Sequence, residues 1–177
     1  MAIILGVDPG LTRCGFGVIN TSKNEALTFG MFQSAPTSDP RDRVGAIAAE
    51  LKNLVLQHKP EMIALERVFA QANLRSVMGV AQVSGALMAI AYETSIPLQF
   101  FTPSEVKAAV TGNGRATKDQ VALMVTKILK LEQTPKPADV ADALAVALCA
   151  SKRGLNVGTS AQQQWVAAAK KASRRLG

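Results

Sequence analysis

Apolar residues in this chain fall first in short continuous runs and later at helical spacing, and the switch between the two lays out its elements. Ile3, Ile4, Leu5 and Val7 form a nearly unbroken run, which predicts a strand over Ile3–Asp8 buried on both faces. The run ends on a carboxylate, Asp8. Pro9-Gly10 must turn the chain there, because proline fixes φ and glycine tolerates φ > 0. A second run predicts a strand over Phe16–Asn20, and the polar cluster Thr21-Ser22-Lys23-Asn24 a hairpin turn. A third strand follows over Leu27–Ser34, with Gly30 as a candidate bulge, so that the three make an antiparallel meander.

Pro36 to Asp42 is polar and rich in breakers, and reads as a loop. From Arg43 onward Val44, Ile47, Leu51, Leu54 and Val55 recur at helical spacing until Pro60. Met62–Leu65 is a short strand that delivers Glu66 at its end. A long helix over about Ala72–Thr94 carries small residues such as Gly79, Ala81, Ser84 and Gly85, which suit either intramolecular packing or a dimer interface. Leu98–Phe101 is the last strand. Thr102-Pro103-Ser104-Glu105 and Thr117-Lys118-Asp119-Gln120 are capping boxes that open helices reaching about Gly112 and Leu131. The final core helix runs from Ala138 to about Ser151, and residues 154–164, rich in Gly, Ser and Gln, read as a linker or flexible arm.

Composition changes this picture in two places. At 177 residues and 48% hydrophobic, the chain can bury one good core as a single domain. No apolar run approaches the ~18 residues that span a bilayer, and Met1-Ala2 leads straight into a strand rather than a signal segment. Cys14 and Cys149 form no disulfide framework, which fits a reduced, cytoplasmic compartment and no membrane partner. The net charge of +7 is unevenly placed: residues 151–177 hold Lys152, Arg153, Lys170, Lys171, Arg174 and Arg175 with no acid, leaving the body near neutral. That divides the chain into a domain over residues 1–153 and a basic tail over residues 154–177. A basic tail suits a polyanion such as nucleic acid, or simply a solvated surface.

The candidate chemistry lies in the acids. Asp8 and Glu66 both stand at the C-terminal tips of apolar strands, along the sheet edge where α/β sites tend to lie. Asp139 and Asp142 are three apart at the start of the final helix, so they share a face. Each has a structural explanation when taken alone, as a turn-capping Asp or as acids near a helix N-terminus. Four carboxylates converging would repel one another unless cations sat between them. The lone His58 lies at a helix end and there is no thiolate pair, so an all-oxygen site selects Mg2+ or Mn2+ over zinc. Two such ions can drive phosphodiester hydrolysis. The absence of a GxxxxGK[ST] loop argues against an NTP-driven enzyme.

Gly-Val-Asp-Pro-Gly at 6–10, Leu-Glu-Arg-Val-Phe at 65–69 and Ala-Asp-Val-Ala-Asp-Ala at 138–143 resemble, in order and spacing, the bacterial RuvC Holliday-junction resolvases. The resemblance runs from Met1 to about Arg153. It implies an α/β, RNase H-like fold with a mixed five-stranded sheet flanked by helices. It implies a homodimer that makes paired symmetric nicks in four-way DNA junctions with divalent metal, alongside a branch-migration complex of RuvA and RuvB. By the same resemblance Asp8, Glu66, Asp139 and Asp142 match the catalytic carboxylates, Phe69 a base-stacking aromatic, and Lys107 and Lys118 basic residues of the DNA cleft. Some relatives carry His at the place of Asp139. Asn73 and Arg75, near Phe69, are further candidates for touching backbone or base. The competing readings are another RNase H-like nuclease acting on RNA or an RNA–DNA hybrid, a junction-binding protein without catalysis, and an actin-like or sugar-kinase ATPase.

Overall fold

The computed structural model describes residues 3–67 and 74–153, and the side chains of all of these except residues 74–76. In chain order the elements are β1 (Ile3–Asp8), β2 (Arg13–Asn20), β3 (Glu25–Gln33), α1 (Pro40–His58), β4 (Met62–Glu66), α2 (Leu74–Glu93), β5 (Leu98–Phe101), α3 (Pro103–Thr111), α4 (Lys118–Ile128) and α5 (Ala138–Arg153). The five strands make one sheet in the order β3-β2-β1-β4-β5. The meander β1-β2-β3 is antiparallel, and β4 and β5 are added parallel to β1. This is the mixed five-stranded sheet flanked by helices that the family resemblance implies, with β1 at its centre.

The central strand divides its residues between two cores. Leu5 and Val7 face one side, where they pack with Phe16, Val18, Ile63 and Leu65 under α1 and α2. Ile4 faces the other, with Ile19, Met62, Ala64 and Phe101, under α3, α4 and α5. Burial on both sides is why β1 reads as an unbroken apolar run instead of an alternating one. From Val140 to Ala150 nearly all of α5 is buried, as expected of a helix held between a sheet and two further helices.

Several details differ from the sequence reading, among them β3, which runs Glu25–Gln33 and not Leu27–Ser34. β2 begins at Arg13, not Phe16, since Arg13 to Gly15 already pair with Gln33 to Met31. The β2–β3 irregularity lies between Val18 and Ile19, whose partners are Thr28 and Ala26; Gly30 pairs regularly with Phe16. A Cβ at Gly30 would stand 3.0 Å from the Phe16 ring, so that glycine makes room for an aromatic and does not bend the strand. Helix α1 starts at Pro40, before the first periodic apolar residue. The Asp39 side chain accepts a hydrogen bond from the Arg41 backbone N–H, and Pro40 fills an early position where no donor is needed. At the other end Lys59 is left-handed (φ 46°) and Pro60 cannot continue the helix. Both capping boxes form as expected, on Thr102/Glu105 and Thr117/Gln120, although α4 ends at Ile128.

Candidate active site

Period-two alternation decides where the two strand-tip acids point. Asp8 follows Ile4 and Gly6 on the face covered by α5, and Glu66 follows Met62 and Ala64 on the same face. β1 and β4 are parallel neighbours with Val7 opposite Leu65, so Asp8 and Glu66 leave the sheet side by side. Glu66 is held in register on its other side by Phe101, whose carbonyl accepts the Arg67 N–H at 2.7 Å.

The helix acids arrive because glycines let α5 down onto the sheet. Gly6 and Gly17 are cross-strand partners, and a Cβ at Gly6 would meet the Ala143 carbonyl oxygen at 2.2 Å. Gly15 is the partner of Asp8, and a Cβ there would stand 2.1 Å from the Asp139 carbonyl oxygen. The start of α5 therefore rests directly on β2, beside the tip of β1. Asp139 lies in the first turn of α5, and Asp142 begins the next.

The electrostatics record four negative charges drawn together. Burial, then the charges of Glu66, Asp142 and Asp139, push the Asp8 carboxyl up to about 7, against a smaller opposing effect of Lys118. Burial and then Asp142 raise Glu66, opposed by Lys118 and Lys107. Lys118 Nζ donates to Asp142 Oδ2 at 2.9 Å, and that bond is the main reason its ammonium holds its proton above the usual lysine range. Arg13, which the sequence reading did not single out, lies with its Nε 3.5 Å from Asp139 Oδ2. Thus two cations from separate elements hold the two helix acids.

Among the described residues no three His, Cys, Asp or Glu side chains close around a single point tightly enough to cage one ion. This does not conflict with a hard cation. Mg2+ keeps most of its waters and takes one or two carboxylates plus substrate phosphates, without a dedicated protein cage. The donor chemistry fits: every nearby acid offers oxygen, and burial pushes the neighbouring Cys14 thiol up to about 12, away from the thiolate a softer metal would need.

The remaining sequence candidates divide three ways. Lys118 is at the acid cluster, and Lys107 on α3 is near enough to act on Glu66. Arg75 falls in the first turn of α2, with its side chain outside the described set, and Phe69 and Asn73 lie outside the described residues. Lys152 and Arg153, counted with the basic tail, are spent on α3: Lys152 Nζ donates to the Ala109 carbonyl at 2.6 Å, and Arg153 bridges to Glu105 at 3.2 Å over the Phe101 ring.

Comparison with known proteins places the chain in a family. The family model described as crossover junction endodeoxyribonuclease RuvC matches residues 4–150. The chain is 47% identical to the crossover junction endodeoxyribonuclease RuvC of Paenarthrobacter aurescens over 97% of each chain. It is 46% identical to that of Salinispora arenicola over 98% of each. A Thermus thermophilus RuvC, solved in complex with Holliday junction substrate, superposes with a TM-score of 0.79 at 34% identity, covering 84% of this chain and 92% of that one. The yeast mitochondrial Holliday junction resolvase Ydc2, at 14% identity and a TM-score of 0.62 over 84% of this chain and 77% of its own, shares the RNase H-like fold alone. Full-length similarity to the bacterial enzymes, together with the matching sheet, shows that this chain belongs to the RuvC family of crossover junction endodeoxyribonucleases.

Proposed function

We propose that Asp8, Glu66, Asp139 and Asp142 are the catalytic, Mg2+-binding site of this endodeoxyribonuclease, with Mn2+ able to substitute. Family membership carries the activity, resolution of four-way junctions, and a general dependence on divalent metal. The observation that supports the residue assignment is the convergence of four acids at one edge, where burial and then the charges of Glu66, Asp142 and Asp139 lift Asp8 to about 7. No fold gains from such repulsion by itself, so the charge points to a cationic occupant.

Bound cations supply Lewis-acid polarisation of the scissile phosphate and stabilisation of its leaving oxygen. The chain's own residues set the conditions for this. Asp8 and Glu66, fixed on adjacent strands, form the rigid part of the donor set, and Asp139 and Asp142 extend it from α5. Because Asp8 keeps its proton up to about pH 7 in the metal-free protein, cation binding displaces that proton and strengthens as pH rises. Lys107 and Lys118 stand beside the acids, where they meet phosphates of the DNA and fix its position. Phe69, with Asn73 and Arg75, follows Glu66 in sequence and is assigned to base and backbone contacts at the junction centre.

Two symmetric nicks require two such sites, so the working unit is a homodimer, loaded in the cytoplasm by the junction-binding and branch-migration proteins RuvA and RuvB. Residues 1–153 form the nuclease unit and residues 154–177 a separate basic tail. The test is cleavage of a labelled mobile four-way junction and of an RNA–DNA hybrid duplex, each with and without Mg2+. Paired nicks in the junction only with Mg2+ support the reading. Preferential cutting of the hybrid would overturn it in favour of an RNA-processing nuclease.

A further inference from the structure

We propose that the β2 side of the acid cluster is a second phosphate-binding groove, in which Arg13 grips the backbone of the cleaved DNA strand and Arg43 holds the floor of the groove in place. The proposal rests on the nuclease reading above and adds a track that the DNA strand follows on leaving the acids. Lys107 and Lys118 come from α3 and α4, the elements that follow β5. Arg13 comes from β2, on the opposite side of the central strand β1 from β4 and β5. A strand passing over Asp8 therefore meets lysines on one side and Arg13 on the other.

The groove is a cavity of about 420 Å3, lined by Gly10, Leu11, Thr12, Arg13, Arg43 and Asp139 among others, so it opens onto the acid cluster itself. Its floor is braced. Arg43 on α1 donates from Nε to Ser34 Oγ at 2.9 Å and from Nη2 to Thr12 Oγ1 at 2.9 Å. Ser34 in turn donates its hydroxyl to the Leu11 carbonyl and its backbone N–H to the Thr12 carbonyl at 3.1 Å. The turn after Asp8 is thereby tied to the end of β3 and the start of α1. Arg43 is a positioning residue.

Arg13 is differently placed. Its side chain is 58% exposed, and its ion pair to Asp139 is long at 3.5 Å. An exposed pair of that length holds little and is easily given up. Once a cation takes Asp139, the guanidinium loses its partner beside a passing phosphate, which its planar fork can bind with two parallel hydrogen bonds. Arg13 thus serves as counter-ion of Asp139 in the empty site and as a phosphate clamp in the loaded one.

The test uses the full-length chain in EDTA or Ca2+, where binding is read without cleavage. Junction affinity is measured across a salt series for wild type, Arg13→Gln, Arg13→Lys and Lys118→Gln, with circular dichroism melts confirming that each folds. Arg13→Gln should weaken binding roughly tenfold, as expected for a charged hydrogen bond. It should also flatten the salt dependence by ~0.9 per phosphate no longer neutralised. Arg13→Lys should restore the slope. Neutral methylphosphonates placed one at a time on either side of the nick should locate a phosphate whose loss weakens wild type but not Arg13→Gln. If Lys118→Gln flattens the slope while Arg13→Gln changes neither the slope nor the methylphosphonate response, Arg13 is only a counter-ion and the groove proposal is wrong. A wild-type chain that does not bind junctions overturns the nuclease reading along with it.

Discussion

Asp8→Asn should make the metal-free protein more stable at alkaline pH, although it removes a charge from the proposed metal site. The folded chain lifts the Asp8 carboxyl from its ordinary 3.8 to about 7, chiefly by burial. Between those values the unfolded chain has released its proton while the folded chain still holds one. Stability therefore falls as pH rises through that window, and by pH 8 the loss is complete. A shift of about three units at ~1.4 kcal/mol each sets an upper bound of roughly 4 kcal/mol. Asp8 is only partly buried, so solvent screening brings the expected loss to ~2–4 kcal/mol. Glu66 is raised as well and adds in the same direction. For a chain of this size ~3 kcal/mol corresponds to a fall in Tm of roughly 6–12 °C. The assay is thermal melting in EDTA from pH 4 to pH 8.5, for wild type and Asp8→Asn. Wild type should lose stability across the window, the variant should lose far less, and Mg2+ should restore wild type at pH 8 through ligand linkage. Identical pH profiles for the two proteins would refute the claim that Asp8 carries this strain.

Three further outcomes follow from the same geometry. Gly15→Ala places a methyl 2.1 Å from the Asp139 carbonyl oxygen, so α5 must retreat. We expect ~1–3 kcal/mol of overpacking in a melt and a fall of ~100-fold in single-turnover nicking, whereas wild-type values for both would mean α5 is not seated as described. Phe69→Ala should slow cleavage of a fully paired junction more than of one with unpaired bases at its crossover, since stacking on a base is worth ~1–3 kcal/mol; equal losses on both substrates would remove its role in opening. Truncation after Gly154 removes Lys170, Lys171, Arg174 and Arg175 but leaves Lys152 and Arg153 bound to α3. The salt dependence of junction binding should become shallower by ~0.9 for each phosphate the tail had neutralised, and an unchanged slope would leave the tail a solubility device.

What the sequence displays most clearly is local chemistry. The apolar run of β1, the paired capping boxes and the placement of Asp8, Glu66 and Asp139 at element ends all follow from residue order, because caps and strand burial act over a few positions. What it conceals is decided by packing between distant elements. Gly15 resembles a turn residue ahead of a strand beginning at Phe16, yet it sits within β2 and is glycine because α5 lands on it. Reading β2 as starting late also hides Arg13, whose partner Asp139 is remote in sequence and reaches it only once α5 is seated. Gly30 misleads in the same way: a missing side chain in a strand can mark a bulge or a neighbour's ring, and here Phe16 takes the space. Arg43 is legible as the start of a periodic stretch, but its bonds to Ser34 and Thr12 depend on how α1 meets the meander.

The central claim, that the four converged acids perform the cleavage, is tested most directly by the single-turnover nicking rate of Asp8→Asn on a labelled four-way junction in Mg2+, with junction binding measured alongside. Asparagine keeps the shape of the side chain and removes its charge. The account predicts a fall in rate of several orders of magnitude with binding retained, because Lys and Arg are the groups that hold the phosphates. Nicking by Asp8→Asn at close to the wild-type rate would contradict it.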